Sequence, residues 1–137
     1  MNHPTTTLLR NARIVLPDRI AETASLLIDN ARITQVFDAT VSQPPVTESV
    51  IDLDGLTLFP GFIDLHIHGA VGVDTMTAGA DDLRRVAEYL GRNGVTAWLP
   101  TLVPSAEEQY ERAISAIEDA MEQASTGDPE RRSEYRL

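Results

Sequence analysis

The sequence changes its pattern after Phe59, and this change limits the folds that the chain can adopt. Up to that residue, short apolar stretches alternate with turn residues, which is typical of an all-β domain. Beyond it, apolar stretches of strand length (63–68 and 95–99) alternate with amphipathic segments of helical length (81–92 and 105–123). Strands that alternate with helices predict a parallel sheet with right-handed crossovers. Two such units can begin a β/α barrel or a doubly wound sheet, and the pattern alone leaves both open.

The residues before this change predict a small sheet. Short strands are predicted over 8–16, 25–28, 32–37, 50–53 and 56–59, with a loop over 41–47. Asp29-Asn30 and Asp54-Gly55 each separate two of these strands, and such residues tolerate the positive φ angles of a tight hairpin turn. We therefore predict two hairpins and, over residues 1–58, part of a small β-sandwich.

Each helical segment carries an apolar stripe. The buried stripe of the first helix is predicted to be Leu83, Val86, Ala87 and Leu90. That of the second is predicted to be Tyr110, Ile114, Ile117 and Met121. Asn93-Gly94 is expected to end the first helix, and Ser105 with Glu108 has the spacing of a capping box at the start of the second. The polar tail over 124–137 is predicted to be a loop or a frayed end.

Two histidines lie two residues apart in the strand predicted over 63–68. Because alternate residues of a strand share a face, Asp64, His66 and His68 point one way. The opposite face, Ile63, Leu65 and Ile67, is apolar, as expected of a strand covered by helices. Neutral imidazole is a good ligand for zinc and iron, so His66 and His68 are candidate metal ligands, with Asp64 in a supporting role. A pair of hydrogen-bonded histidines without a metal would produce the same pattern.

Three other polar or aromatic residues have ordinary structural explanations beside functional ones. Asp74 and Thr75 could shape a substrate loop, but Asp74 could equally bond backbone amides within a turn. Trp98 has apolar neighbours and is predicted to pack in the core. Thr101 follows the second strand and therefore lies at the same end of the sheet as the histidines.

Composition excludes several classes of partner and site. The net charge of −10 argues against nucleic acid and anionic membrane surfaces as partners, because both need a positive patch. All 11 basic residues are arginine, so a lysine-based phosphate loop or Schiff base is excluded. The absence of cysteine excludes disulfides and thiolate metal sites. With no signal peptide and no long apolar stretch, we expect a cytoplasmic protein.

Residues 60–68 (PGFIDLHIH) resemble the signature of the first barrel strand in the amidohydrolase superfamily. Residues 69–76 (GAVGVDTM) and 94–101 (GVTAWLPT) narrow the resemblance to the N-acetylglucosamine-6-phosphate deacetylases. The similarity extends from about residue 8 to about residue 121. It implies an α/β fold in which the partial β-sandwich is followed, over 59–137, by the first two β/α units of an incomplete TIM-like (β/α)8 barrel.

The same resemblance implies a metal-dependent hydrolase. His66 and His68 match the first two ligand positions for a divalent metal ion, zinc or iron. The substrate would be a phosphorylated amino sugar, whose acetamido group is hydrolysed. No catalytic residue of the family falls within this chain, and the other metal ligands would lie beyond residue 137. A homodimer remains an option for the complete enzyme.

The length of the chain argues against activity, although the chain resembles an enzyme family. A TIM barrel needs about 250 residues, whereas this chain has 137. We therefore expect the N-terminal fragment of a deacetylase that is inactive as an isolated chain. The alternatives are another amidohydrolase, acting as a cyclic amidase or a deaminase, and a non-catalytic truncated product.

Overall fold

The structure is a computed structural model that describes residues 6–38 and 45–126. The described residues form two compact units that divide between Pro60 and Gly61. The strands and helices in chain order are β1 (Thr6–Val15), β2 (Ile20–Asp29), β3 (Arg32–Phe37), β4 (Ser49–Asp52), β5 (Thr57–Leu58), β6 (Phe62–Ile67), α1 (Ala80–Arg92), β7 (Val95–Pro100) and α2 (Glu107–Thr126). Part of the predicted loop over 41–47 and most of the predicted tail over 124–137 lie outside the described residues.

The first unit is a five-stranded sheet, which confirms the predicted β-rich domain. Its strands lie in the order β3-β2-β1-β4, and β5 also pairs with β1. The β2–β3 hairpin is confirmed, with its turn one residue later than predicted. Asn30 and Ala31 have φ angles of 48° and 60°, so both central residues adopt the left-handed conformation that a type I′ turn requires. The buried side chains on the sheet are Ala12, Ile14, Ala21, Ala24 and Leu26.

The second predicted hairpin is wrong. Asp54 and Gly55 do form a tight turn, with φ angles of 47° and 78°. However, the strands on either side of it pair with β1 in parallel instead of with each other. The turn faces an irregularity in β1, where Asn11 has a φ of 56° and its carbonyl accepts the N–H of Gly55 at 2.7 Å. The chain therefore passes this irregularity, and β5 resumes the parallel pairing with β1 that β4 begins.

The second unit contains two β/α units, as predicted. Strands β6 and β7 pair in parallel, and α1 connects them. The predicted buried face of α1 is confirmed: Leu83, Val86 and Leu90 are buried and Ala87 is partly buried. The helix ends before Asn93 and Gly94, and Gly94 has a φ of 82°. Trp98 is buried in the same core, which confirms its predicted packing role.

The predicted buried stripe of α2 is wrong except for Ile117, which does pack against the core. Ile114 and Met121 are 46% and 56% exposed, and Tyr110 is only half-buried. The side chains that pack inward are mainly alanines, namely Ala113, Ala116, Ile117 and Ala120. Small side chains let two helices approach closely, so α2 packs on α1 through this neighbouring stripe. The predicted capping box is also absent, since the Ser105 hydroxyl contacts the side chain of Gln109.

The expectation that helices cover the apolar face of β6 is also wrong for the described residues. Ile63 and Leu65 are 63% and 67% exposed, and only Ile67 packs against the core of this unit. The physical reason is that α1 packs on β7 and α2, which leaves most of β6 beyond its reach.

Neither of the described helices is long and apolar enough to cross a membrane.

Candidate metal centre

The two histidine side chains meet at the C-terminal end of β6. The Nε2 atoms of His66 and His68 are 3.1 Å apart, and the ring planes are nearly perpendicular at 84°. Both residues are exposed. The structure therefore brings together the pair that strand alternation predicted.

Asp64 supports this pair through the backbone. Its carboxylate accepts the backbone N–H of His66 at 3.1 Å. The pairing of β6 with β7 is irregular between Asp64 and Ile67, and this hydrogen bond spans the irregular stretch. Asp64 thus has a structural role, which is one form of the supporting role predicted for it.

A set of hydrogen bonds to Thr101 fixes the end of β6 against the end of β7. The Thr101 hydroxyl accepts the N–H of Ile67 at 3.0 Å, and the N–H of Thr101 donates to the Ile67 carbonyl at 2.8 Å. The Thr101 carbonyl lies 3.2 Å from Nδ1 of His68. The orientation of the His68 ring is therefore tied to the neighbouring strand.

The loop after His68 is shaped by a glycine and an aspartate. Gly69 has a φ of 130°, and a Cβ atom there would lie 1.9 Å from the carbonyl oxygen of Val73, so only glycine fits this position. The Asp74 carboxylate accepts the N–H of Met76 at 2.8 Å. Asp74 therefore holds a turn, which was the ordinary interpretation of this residue.

Thr75 contacts the ends of both strands, which is a larger role than its sequence pattern predicted. Thr75 is 1% exposed, and its hydroxyl donates to the Thr101 carbonyl at 2.8 Å and lies 3.2 Å from the His68 carbonyl. A backbone carbonyl has no signature in the sequence, so no pattern could have identified these partners. A threonine directly after the turn-forming Asp74 was the available clue.

The histidine pair fits a metal ion in part. Zinc–nitrogen bonds are about 2.0–2.1 Å, so two nitrogens on one tetrahedral zinc lie roughly 3.3 Å apart. The observed separation of 3.1 Å is close to that value. Catalytic zinc sites normally have three protein ligands, and the described residues contain no group of three or more His, Cys, Asp or Glu side chains that could hold a metal ion. The geometry of the histidine pair is therefore compatible with two of the ligands that such a site needs.

A protein-family model described as the amidohydrolase family matches residues 49–126, which is more than half of the chain. The chain belongs to the amidohydrolase family.

Individual relatives of this amidohydrolase chain carry more specific names. It is 35% identical over 83 residues to the N-acetylgalactosamine-6-phosphate deacetylase of Escherichia coli O157:H7, covering 61% of this chain and 22% of that protein. It is 33% identical over 96 residues to the N-acetylglucosamine-6-phosphate deacetylase of Caenorhabditis elegans, covering 66% of this chain and 23% of that protein. The chain thus spans less than a quarter of the length of these two relatives.

Solved structures agree with the fold of the amidohydrolase chain. The crystal structure of N-acetylglucosamine-6-phosphate deacetylase from Pasteurella multocida matches with a TM-score of 0.76 and 25% identity, over 90% of this chain and 32% of that one. The predicted fold class, a partial β-sandwich followed by the first two β/α units of a TIM-like barrel, is confirmed. The assignment of His66 and His68 as metal ligands stays a prediction.

Proposed function

We propose that this amidohydrolase chain contributes His66 and His68 as ligands for a divalent metal ion, zinc or iron, in a deacetylase. The observation that carries the proposal is the 3.1 Å separation of the two Nε2 atoms at the C-terminal end of a barrel-type strand. Active sites of β/α barrels lie at that end of the strands. A bound divalent ion would lower the pKa of a water ligand and so supply hydroxide for hydrolysis near neutral pH.

The proposed substrate is N-acetylglucosamine 6-phosphate, hydrolysed to glucosamine 6-phosphate and acetate. Support comes from the relatives named as deacetylases of this sugar phosphate, such as that of Caenorhabditis elegans. The galactosamine epimer is a second candidate, because the relative from Escherichia coli O157:H7 is named for it and is 35% identical. The two sugars share the acetamido group and the phosphate, so one assay can compare them.

We also propose that this chain alone does not catalyse the reaction. Two imidazoles leave a metal ion weakly held, because catalytic zinc sites usually have three protein ligands and a water. The described residues offer no third ligand in reach of the histidines. Hydrolysis would therefore require further groups in addition to the described residues.

Metal binding tests the first part of the proposal. The chain is titrated with Zn²⁺ in competition with a chromophoric chelator, alongside His66→Asn, His68→Asn and the control Thr77→Val, which changes an exposed residue outside the histidine pair. We expect weak binding of one ion by the wild type and the control, and binding weaker by about 100-fold or more in the two variants that each lose a ligand. Equal zinc affinity in all four proteins would contradict the assignment of the ligands.

A chimera tests whether this segment can serve in a deacetylase. Residues 61–126 replace the equivalent segment of the Pasteurella multocida deacetylase, and acetate release is measured with both sugar phosphates. We expect hydrolysis by the chimera and its loss in the chimera that carries His68→Asn. A folded chimera that binds zinc but hydrolyses neither sugar would refute the deacetylase assignment. Acetate release by the 137-residue chain alone would refute its proposed inactivity.

A further inference from the structure

We infer that Thr75 is a positioning residue that, through the Thr101 carbonyl, holds His68 in the tautomer with a free Nε2 lone pair. This inference rests on the proposed metal-binding function and assigns a role to a residue that does not itself touch the metal. It is carried by three groups at the ends of β6 and β7: the Thr75 hydroxyl, the Thr101 carbonyl and the His68 ring.

The Thr75 hydroxyl connects the two strand ends. It donates to the Thr101 carbonyl at 2.8 Å and lies 3.2 Å from the His68 carbonyl, while the Thr75 N–H donates to that same His68 carbonyl at 3.0 Å. Thr75 is the one polar residue that is buried among the described residues. A buried hydroxyl whose single proton goes to the nearer carbonyl has little freedom to turn, so it fixes the direction of the Thr101 carbonyl.

The Thr101 carbonyl in turn determines which nitrogen of His68 carries the proton. A carbonyl oxygen can only accept, so the 3.2 Å contact requires the proton on Nδ1 of His68. Neutral His68 then has its lone pair on Nε2, which is the atom that faces His66. This is the arrangement found in metal-binding histidines, which donate their other N–H to a carbonyl or carboxylate.

The same reasoning gives His66 the opposite tautomer when no metal is bound. With a lone pair on Nε2 of His68, the 3.1 Å contact is a hydrogen bond only if Nε2 of His66 carries a proton. His68 is therefore prepared to bind a cation, whereas His66 must first move its proton from Nε2. The two histidines are equivalent in the sequence motif, but they would differ in how readily they bind a metal ion.

Thr75 matters because Thr101 lies just past the end of β7. Among the hydrogen bonds of the described residues, the donors to the Thr101 carbonyl are the Thr75 hydroxyl and Nδ1 of His68. Within this part of the chain, no N–H of a neighbouring strand donates to the carbonyl. Without the hydroxyl the carbonyl can turn away from His68, and the ring loses the partner that selects its tautomer.

Nitrogen-15 NMR tests the inference directly. Long-range proton–nitrogen correlations of the metal-free, uniformly labelled chain are recorded under mildly alkaline conditions. In the wild type we expect His68 with its proton on Nδ1 and His66 with its proton on Nε2. Thr75→Val keeps the shape but removes the hydroxyl, and it should give a mixture of tautomers at His68.

Two further variants serve as controls. Thr75→Ser restores the hydroxyl and should return the wild-type tautomer. Thr77→Val removes a hydroxyl from an exposed residue nearby, whose contact with the Asp74 carbonyl is 3.4 Å, and should change nothing. Zinc affinity should fall about 10- to 100-fold in Thr75→Val and stay near the wild-type value in both controls.

The outcomes separate the inference from the proposed function. A proton on Nε2 of His68 in the wild type, or an unchanged tautomer in Thr75→Val, would overturn the inference. Thr75→Ala repeats the test if the valine variant does not fold. Failure of the wild type to bind zinc, with His68 in the expected tautomer, would instead overturn the proposed function while leaving the geometry of the three groups intact.

Discussion

Replacing Gly69 by alanine should strongly destabilise the second unit. Gly69 has a φ of 130°, and the new Cβ would lie 1.9 Å from the Val73 carbonyl oxygen, which is backbone and cannot rotate aside. The left-handed conformation alone costs an L-residue about 1–2 kcal/mol. The loop must also move by roughly 1 Å or more, which disturbs two hydrogen bonds, Val73 N–H to Ala70 and Thr75 N–H to His68. At about 1 kcal/mol for each bond, the total loss is about 3–4 kcal/mol.

Gly72 provides a matched control in the same loop. It also has a positive φ, 79°, but nothing lies within 4 Å of a Cβ built there. Gly72→Ala should therefore lose only the conformational part, about 1–2 kcal/mol. The difference of about 2 kcal/mol between the two variants isolates the contact with Val73.

The assay uses the single tryptophan of the chain. Trp98 is 6% exposed in the core of the second unit, so its fluorescence in a urea titration reports unfolding of that unit. Because Gly69 follows His68 directly, Gly69→Ala should also weaken zinc binding, whereas Gly72→Ala should not. Equal losses of stability in the two variants would refute the reasoning from the close contact.

Two further predictions concern α2 and the first sheet. Ala120→Leu should destabilise the second unit by about 1–3 kcal/mol through overpacking, whereas Met121→Ala, at an exposed position, should change stability by less than about 0.5 kcal/mol in the same fluorescence assay. The Asp54 backbone N–H and the Asn11 amide hold the pKa of Asp52 below its ordinary value. Ionised Asp52 should therefore stabilise the fold above its unfolded-state pKa of about 3.9, and this contribution should be lost as the pH falls through the lower folded-state pKa. Carboxyl carbon-13 titration in the wild type and in Asn11→Gly measures the folded-state pKa of Asp52. We expect a higher pKa in the variant.

The elements that the sequence predicted well are those set by local periodicity. The stripe of α1 has large apolar residues at helical spacing and strongly polar residues elsewhere, so one face alone could be buried. In α2 two neighbouring stripes share Ile117, and the choice between them depends on how closely α2 can approach α1. Side-chain size at the contact decided in favour of the alanines, and periodicity gives no information about that contact.

Pairings between distant residues were harder to predict. The Asp54-Gly55 turn was correctly located, yet its strands pair with β1, some 40 residues earlier in the chain. At the candidate metal centre, alternation along β6 was enough to bring His66 and His68 together. The hydroxyl of Thr75 and the Thr101 carbonyl lie 26 positions apart, and their contact depends on how the loop after β6 folds back.

The exposed apolar side chains of the small parallel sheet have a consequence for the behaviour of the chain at high concentration. Phe62, Ile63, Leu65 and Leu99 are each more than half exposed. Such surfaces, next to unpaired strand edges, attract other copies of a chain. The net charge of −10 opposes these encounters by repulsion, and salt at physiological strength screens this repulsion beyond about 8 Å. Colloidal stability of this protein should therefore fall as ionic strength rises, and dilute low-salt buffer should keep it monodisperse.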